Sequence, residues 1–146
     1  MHTPTFILAN VILDIEPFLV LILGLEYPLH GNFHTFLLAF LVGLMLGYAM
    51  LLLERHLYPL YKMLLLEKDG KTSLRPFVLA GVLGTMLHVL LDSPLYSDIH
   101  PFYPLTANPL YNPALSMNVY SLCVWMGILG IVIYAGLLVN RLRTGH

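Results

Sequence analysis

The sequence predicts an all-α integral membrane protein, a bundle of four transmembrane helices in a single domain of residues 1–146. Three observations support this prediction. First, 58% of the residues are hydrophobic and 10% are charged, whereas a soluble domain is about 25% charged. Second, four apolar segments of about 20 residues follow one another, each long enough to cross ~30 Å of hydrocarbon. Third, a segment in hydrocarbon must satisfy its own backbone hydrogen bonds, so each is expected to be helical.

The four predicted helices span residues of about 5–25, 33–53, 76–95 and 118–139. The first is interrupted by Asp14-Ile15-Glu16-Pro17. Because proline lacks a backbone donor and restricts the residue before it, we expect this helix to be broken. A break would let Asp14 and Glu16 face one site, since residues two apart on a regular helix point about 200° apart. The N-terminus lacks the basic stretch of a cleavable signal peptide, so we expect the first segment to be retained.

The basic residues predict the orientation. All seven Lys and Arg residues lie between the second and third helices or after the fourth. Because cytoplasmic loops carry this excess, both termini are expected in the cytoplasm of a prokaryotic-type cell membrane. Loop 54–75 is then cytoplasmic and amphipathic. The proline- and tyrosine-rich loop 96–117 lies outside, as a lid or only a connection. Membrane lipid is the expected partner and a homo-oligomer is possible. A net charge of −1 gives no surface for nucleic acid.

A polar stripe lies within the apolar third helix. Thr85, His88 and Asp92 recur at helical spacing, so their side chains share one face. A charge at mid-membrane costs ~2.5–3.5 kcal/mol, so the pair needs a partner or a purpose. In the predicted topology, imidazoles and carboxylates from three segments can meet in the outer half of the bundle. They form the ligand set of zinc, manganese or iron, and one or two such ions would neutralise acids without basic neighbours.

The remaining histidines and glycines are interpreted by position. His30 and His34 have i, i+4 spacing if the second helix begins early enough. Asp98 and His100 are expected to be loop residues, and whether they join the site stays open. Surface positions are expected for His2, His56 and His146. Close helix packing is expected at the glycine pairs Gly43 and Gly47, Gly81 and Gly84, and Gly127 and Gly130.

Four short elements also occur in an informative order: Asp14-Ile15-Glu16-Pro17, His30-Gly31-Asn32-Phe33-His34-Thr35, His88-Val89-Leu90-Leu91-Asp92 and Pro101-Phe102. This order resembles the YdjM-like family of membrane-bound metal-dependent hydrolases, with its P-D-x-D, H-R-G-x-T-H-S and H-x-x-x-D elements and a following Pro-Phe pair. The sequence departs from that pattern at Leu13, Glu16, Asn32 and Phe33, and the arginine of the second element is missing. The resemblance implies a metal site formed by Asp14, Glu16, His30, His34, His88 and Asp92. Catalytic roles fall to Glu16 and Asp92, with Glu16 as general base if it is not a ligand.

Three functions are compatible with these residues. A metal-dependent hydrolase would use an activated water on a lipid-like phosphoester or ester in the outer half of the membrane. Alternatively, the same residues bind or transport a divalent cation or protons, although Glu54 and His56 are the only candidates for an acid and an imidazole at the cytoplasmic end. In the third case the chain is a scaffold whose polar residues only make interhelical hydrogen bonds, each contributing ~0.6–2 kcal/mol. We predict the hydrolase.

Overall fold

The computed structural model describes residues 1–66 and 73–144, and its regular elements are all helical within those ranges. The predicted all-α class is therefore confirmed. Four helical segments are long and apolar enough to span a membrane: Thr3–Leu23, Phe36–Met63, Leu74–Asp92 and Pro113–Thr144. The chain is accordingly a multi-pass membrane protein.

The first span is broken, as predicted. Helix α1 covers Thr3–Ala9 and α2 covers Ile15–Leu23, with a short 3-10 turn at Ile12–Asp14 between them. The break precedes Pro17, which lies in the first turn of α2, where a helix has no partner for its N–H groups. The Asp14 N–H bonds to the carbonyl of Val11 at 3.1 Å. The break therefore frees the preceding carbonyl, that of Asn10, from the helical ladder.

Helix α3 covers Phe36–Met63 and is capped by Thr35, whose side-chain oxygen accepts the N–H of Leu38. It begins later than the expected residue 33, and it continues past residue 53 into the segment expected to be a loop. Its 28 residues correspond to about 42 Å, more than ~30 Å of hydrocarbon. The last turns therefore extend beyond the apolar core of a bilayer. Residues 67–72 of the expected cytoplasmic loop lie outside the described residues.

Helix α4 covers Leu74–Asp92 and packs against α3 through glycines. A Cβ on Gly43 would lie 2.6 Å from the hydroxyl of Thr85, and one on Gly81 would collide with the carbonyl oxygen of Gly43. Gly47 and Gly84 are equally tight, against α4 and α1 respectively. The predicted close packing at these two glycine pairs is confirmed. Small residues allow such contact, which is a main source of helix association in membranes.

The segment after α4 folds back over the start of α3. The N–H of Phe36 donates to the carbonyl of Pro101 at 2.9 Å, and the rings of Phe36 and Phe102 lie 5.3 Å apart. Ile99 and Pro101 are buried in this contact region. The first part of the proline- and aromatic-rich loop is thus bound to the N-terminal end of α3.

The chain divides into two compact units, Met1–Tyr111 and Asn112–His146. In the second, a 3-10 turn at Pro113–Leu115 leads into helix α5, Ser116–Thr144, with two arginines in its last turn. A Cβ on Gly127 or Gly130 would meet no atom within 4 Å. The close packing predicted for this pair is therefore not found within the part of the chain that the structure describes.

Candidate metal centre

The last two turns of α4 provide the centre of the site. Nε2 of His88 lies 3.2 Å from a carboxylate oxygen of Asp92, one turn further along. The hydroxyl of Thr85 donates to the carbonyl of Ala39 at 2.7 Å, which satisfies the third member of the stripe on α3. The predicted common face therefore exists, and its two ionisable groups lie at the end of α4.

The broken first span adds two contacts to His88. Its Nδ1 donates to the carbonyl of Asn10 at 2.8 Å, the same carbonyl that the break releases from the helix. Its Nε2 lies 3.4 Å from Oδ1 of Asp14, at the end of the 3-10 turn. A regular helix would have used the Asn10 carbonyl internally. The break thus both orients the imidazole and delivers a carboxylate to it.

The loop before α3 brings in His34. This residue ends a 3-10 turn, Asn32–His34, and is fully buried. Its Nε2 lies 3.9 Å from Oδ2 of Asp92, while its Nδ1 lies 3.4 Å from Oε2 of Glu16. The same Glu16 oxygen accepts the N–H of Phe33 at 3.0 Å. One carboxylate oxygen of Glu16 therefore contacts both the 3-10 turn and the imidazole of His34, on the Nδ1 side of the ring.

Gly31 allows this loop to approach α2. A Cβ at this position would lie 2.5 Å from Oε1 of Glu16 and would also collide with the ring of Tyr27. Only a residue without a Cβ lets the backbone pass this close to the carboxylate. The position of His34 therefore depends on a glycine three residues earlier.

Four donors converge on one point. One ligand atom each from Asp14, His34, His88 and Asp92 lies within 4.8 Å of all the others. Around a tetrahedral ion with bonds of 2.0–2.2 Å, ligand atoms lie roughly 3.3–3.6 Å apart. The two His88 distances, 3.2 and 3.4 Å, already match this spacing. The other pairs need only a small closure, so the group can hold a metal ion.

The chemistry of the two imidazoles also fits a metal. Nε2 of His34 and Nε2 of His88 are buried and face carboxylate oxygens at 3.2–3.9 Å, without a hydrogen bond of good geometry within the described ranges. A buried polar atom without a partner costs ~1–3 kcal/mol. Both Nδ1 atoms are engaged, by Glu16 and by the Asn10 carbonyl. Such contacts fix the tautomer that presents a lone pair on Nε2, as in known metal sites.

No basic residue of α3 or α4 lies near the four donors. The first Lys or Arg of α3 is Arg55, roughly 30 Å along the helix from Phe36. Arg75 lies at the start of α4 and Asp92 at its end. The carboxylates of Asp14 and Asp92 thus have imidazoles as neighbours and lack a fixed cation from these helices.

Burial keeps His34 neutral. It lowers the pKa of this imidazole to about 4, with further lowering by His30 and His88, and Asp92 and Asp14 offset only part of the effect. A neutral imidazole is the form that binds metal. At physiological pH, metal binding would therefore displace no proton from His34.

His30 lies next to the group of four and packs against one of its members, His34. Its ring is edge-on to that of His34, with centroids 4.9 Å apart, and stacks on Tyr96 at 4.1 Å. Its Nδ1 and backbone N–H both bond to Asp98, at 3.1 and 3.0 Å. Burial alone would raise the pKa of Asp98, but these bonds from His30 outweigh it and lower the pKa. His30 and His34 meet through a turn, because α3 begins only at Phe36.

Of the six residues that the sequence assigns to the metal, the structure brings four to one point and places Glu16 and His30 against His34. Sequence reasoning missed the Asn10 carbonyl, which no side-chain pattern reveals. It also left open whether Asp98 belongs to the site; Asp98 contacts His30, which lies 68 positions earlier in the chain.

The expectation that His2 is a surface residue is wrong. Its side chain is fully buried, with Nε2 3.2 Å from Oε2 of Glu54 and Nδ1 2.8 Å from the hydroxyl of Thr5. The N–H of His2 donates to the carbonyl of Pro76, and its ring lies 4.2 Å from that of Phe77. These bonds draw the start of α1 between α3 and α4. A second imidazole–carboxylate pair thus lies toward the opposite end of α3.

Scans against protein-family models, curated proteins and solved structures find no match to this chain. The resemblance to the YdjM-like family stays a prediction. The fold and the site define only the class of protein: a multi-pass helical membrane protein with a group of Asp and His residues that can hold a metal ion.

Proposed function

We propose that the chain is a membrane-embedded, metal-dependent hydrolase of the YdjM-like kind. The observation that carries the proposal is the pair of buried Nε2 atoms, on His34 and His88, directed toward the same carboxylate group with their Nδ1 atoms already engaged. Zinc, manganese or iron suits this donor set, as one ion or two. Bound there, a divalent ion would polarise a phosphoryl or carbonyl oxygen and lower the pKa of a bound water toward ~7.

Each residue has a separate task in this proposal. Asp14, His34, His88 and Asp92 hold the ion, and Glu16 orients His34 through Nδ1. The Asp14 side chain is 52% exposed, whereas that of His34 is fully buried. Substrate therefore approaches from the Asp14 side. Asp92, which lies near both imidazoles, is the catalytic carboxylate of the sequence prediction and serves here as a ligand.

A lipid-like substrate fits the surroundings. A groove of about 320 Å³ runs along α2 from Ile15 and Glu16 to Leu25, with Leu19 and Phe33 among its apolar walls. Its first lining residue, Ile15, follows Asp14 in the sequence, so an acyl chain lying in the groove would bring an ester or phosphoester near the exposed ligand. With the Lys and Arg residues in the cytoplasm, the centre faces the outer leaflet of the cell membrane.

Cation transport is the second candidate, and one observation favours it: the buried His2–Glu54 pair gives the far end of the protein an imidazole and a carboxylate. The contact between α3 and α4 argues against it. Gly43 and Gly81 touch so closely that a single Cβ finds no space. A cation could not pass from one pair to the other between these two helices.

The experiment is metal analysis of detergent-purified protein, followed by turnover of a panel of fluorescent phospholipid and ester analogues. We expect at least one ion per chain in the parent, its loss in His88→Ala and Asp92→Ala, and full retention in His56→Ala, whose exposed side chain lies outside the site. Absence of metal from the parent would make the chain a scaffold. Bound metal without turnover of any analogue would favour a carrier.

A further inference from the structure

A second cavity lies against the 27–35 loop and shares Tyr27 with the α2 groove. Its volume is about 290 Å³, and its walls include Tyr27, His30, Asn32, Thr35, His100 and Tyr103. Ligand pockets span about 300–1,000 Å³, so this one has room for a single small polar group. The mechanism above uses none of this cavity.

His30 connects this cavity to the metal centre. Its ring lines the cavity and packs edge-on against His34, with centroids 4.9 Å apart. Asp98 holds Nδ1 and the backbone N–H, and Tyr96 stacks on the ring. With Nδ1 held by Asp98, Nε2 is the ring nitrogen that remains for a ligand. A group in the cavity would therefore lie one ring away from a metal ligand.

The walls favour an uncharged hydroxyl-bearing group. Among the described residues, their ionisable side chains besides the tyrosines are the imidazoles of His30 and His100, so they offer no fixed charge to an anion or an ammonium. The two nearest carboxylates, Glu16 and Asp98, are engaged with the backbone and the imidazoles. The Tyr27 hydroxyl accepts both Asn32 donors, at 2.9 and 3.3 Å, which leaves its own hydrogen to donate.

Hydroxyl groups both donate and accept hydrogen bonds, and so do the Asn, Thr, Tyr and imidazole groups of these walls. Tyr27 and Tyr103 add aromatic surface to them. Pockets with aromatic walls and a few placed polar groups bind small organic ligands.

Resting on the proposed function, we propose that this cavity is the headgroup subsite and receives an uncharged polyol or monosaccharide, the alcohol part of the lipid substrate. The acyl chain would occupy the α2 groove. Tyr27 lines both this groove and the headgroup cavity. His30, which packs against the ligand His34, would contact the headgroup itself.

The test measures binding without turnover. Saturation-transfer NMR on chelator-treated, metal-free protein in nanodiscs would use glycerol, myo-inositol and glucose as neutral probes, with choline, ethanolamine and inorganic phosphate as charged ones. The variant is Tyr103→Ala, and the matched control is Tyr111→Ala, an exposed tyrosine of the same loop that does not line the cavity. We expect at least one neutral probe to bind and Tyr103→Ala to weaken it about fivefold, equivalent to ~1 kcal/mol. Tyr111→Ala should leave it unchanged.

Binding of a charged probe in place of the neutral ones, or no binding, would overturn the proposal. An equal effect of both tyrosine variants would also do so. Failure of the hydrolase would look different, because a neutral probe would still bind while no lipid analogue is turned over. Turnover without neutral-probe binding would leave the hydrolase standing and remove the subsite.

Discussion

Three carboxylates in and around the candidate metal centre, those of Asp92, Glu16 and Asp98, should differ sharply in their effect on metal affinity. Asp92→Asn keeps the shape of the side chain but removes one anionic donor from the group of four, so we expect affinity to fall more than ~100-fold, beyond the 10–100-fold typical of residues behind a ligand. Glu16→Gln leaves all four donors in place. The contact of Glu16 with Nδ1 of His34 is long, 3.4 Å, so we expect metal affinity to fall about 10-fold, the lower limit for a residue behind a ligand. Asp98 bonds to His30, which lies outside the group of four, so Asp98→Asn should change affinity less than ~3-fold.

The assay is titration of metal-free protein with Zn²⁺ or Mn²⁺ against a chromogenic chelator, with circular dichroism to verify that each variant is folded. Asp98→Asn is the matched control, because this carboxylate also bonds to an imidazole that lies outside the group of four. Equal losses in Glu16→Gln and Asp92→Asn would make Glu16 a ligand and refute the division of roles. A large loss in Asp98→Asn would instead place His30 on the ion.

Three further results should follow. The pKa of His34 falls from an ordinary 6.5 to about 4 in the folded protein, so between these pH values the unfolded chain binds a proton that the folded chain does not. The free energy of unfolding of the metal-free protein, measured in detergent, should therefore decrease by on the order of 3 kcal/mol as the pH drops through this window and stay constant above it. His34→Gln should lack this decrease. Thr85→Val removes a hydroxyl bonded to an α3 carbonyl and should cost ~0.6–2 kcal/mol in thermal unfolding, whereas Thr85→Ser keeps this hydroxyl, loses one buried methyl group and should cost less. Gly31→Ala places a Cβ 2.5 Å from Glu16 and should weaken metal binding at least ~10-fold, whereas Gly127→Ala, in open space, should bind like the parent.

The local part of the site could be predicted from the sequence. His88 and Asp92 share a helix, and their spacing alone places both on one face; the observed distance is 3.2 Å. Four apolar stretches predicted the four spans for a similarly simple reason, because length and hydrophobicity act locally. The break in the first span was predicted from Pro17, yet it lies earlier, at Asn10. Its position is coupled to a tertiary bond, from His88 to the Asn10 carbonyl.

Long-range contacts account for what the sequence could not provide. Nothing near His2 predicts burial, which follows from Glu54 and Phe77 on two other helices. Equally, the partner of His30 is Asp98, on the loop that follows α4, 68 positions along the chain. Patterns along the chain predict which residues are polar in an apolar environment. The contacts between these polar residues depend on the close packing of α3 on α4 and on loops whose path depends on residues such as Gly31.

The bond between the Asn10 carbonyl and the His88 ring joins residues 78 positions apart, and this separation has a consequence for biogenesis. When the first two spans leave the ribosome, they carry only part of the donor set, and α4 does not yet exist. High-affinity loading must therefore wait until the third span has entered the bilayer and docked. Metal occupancy would then report completed assembly, and chains halted before α4 should emerge empty whatever ion the cell supplies.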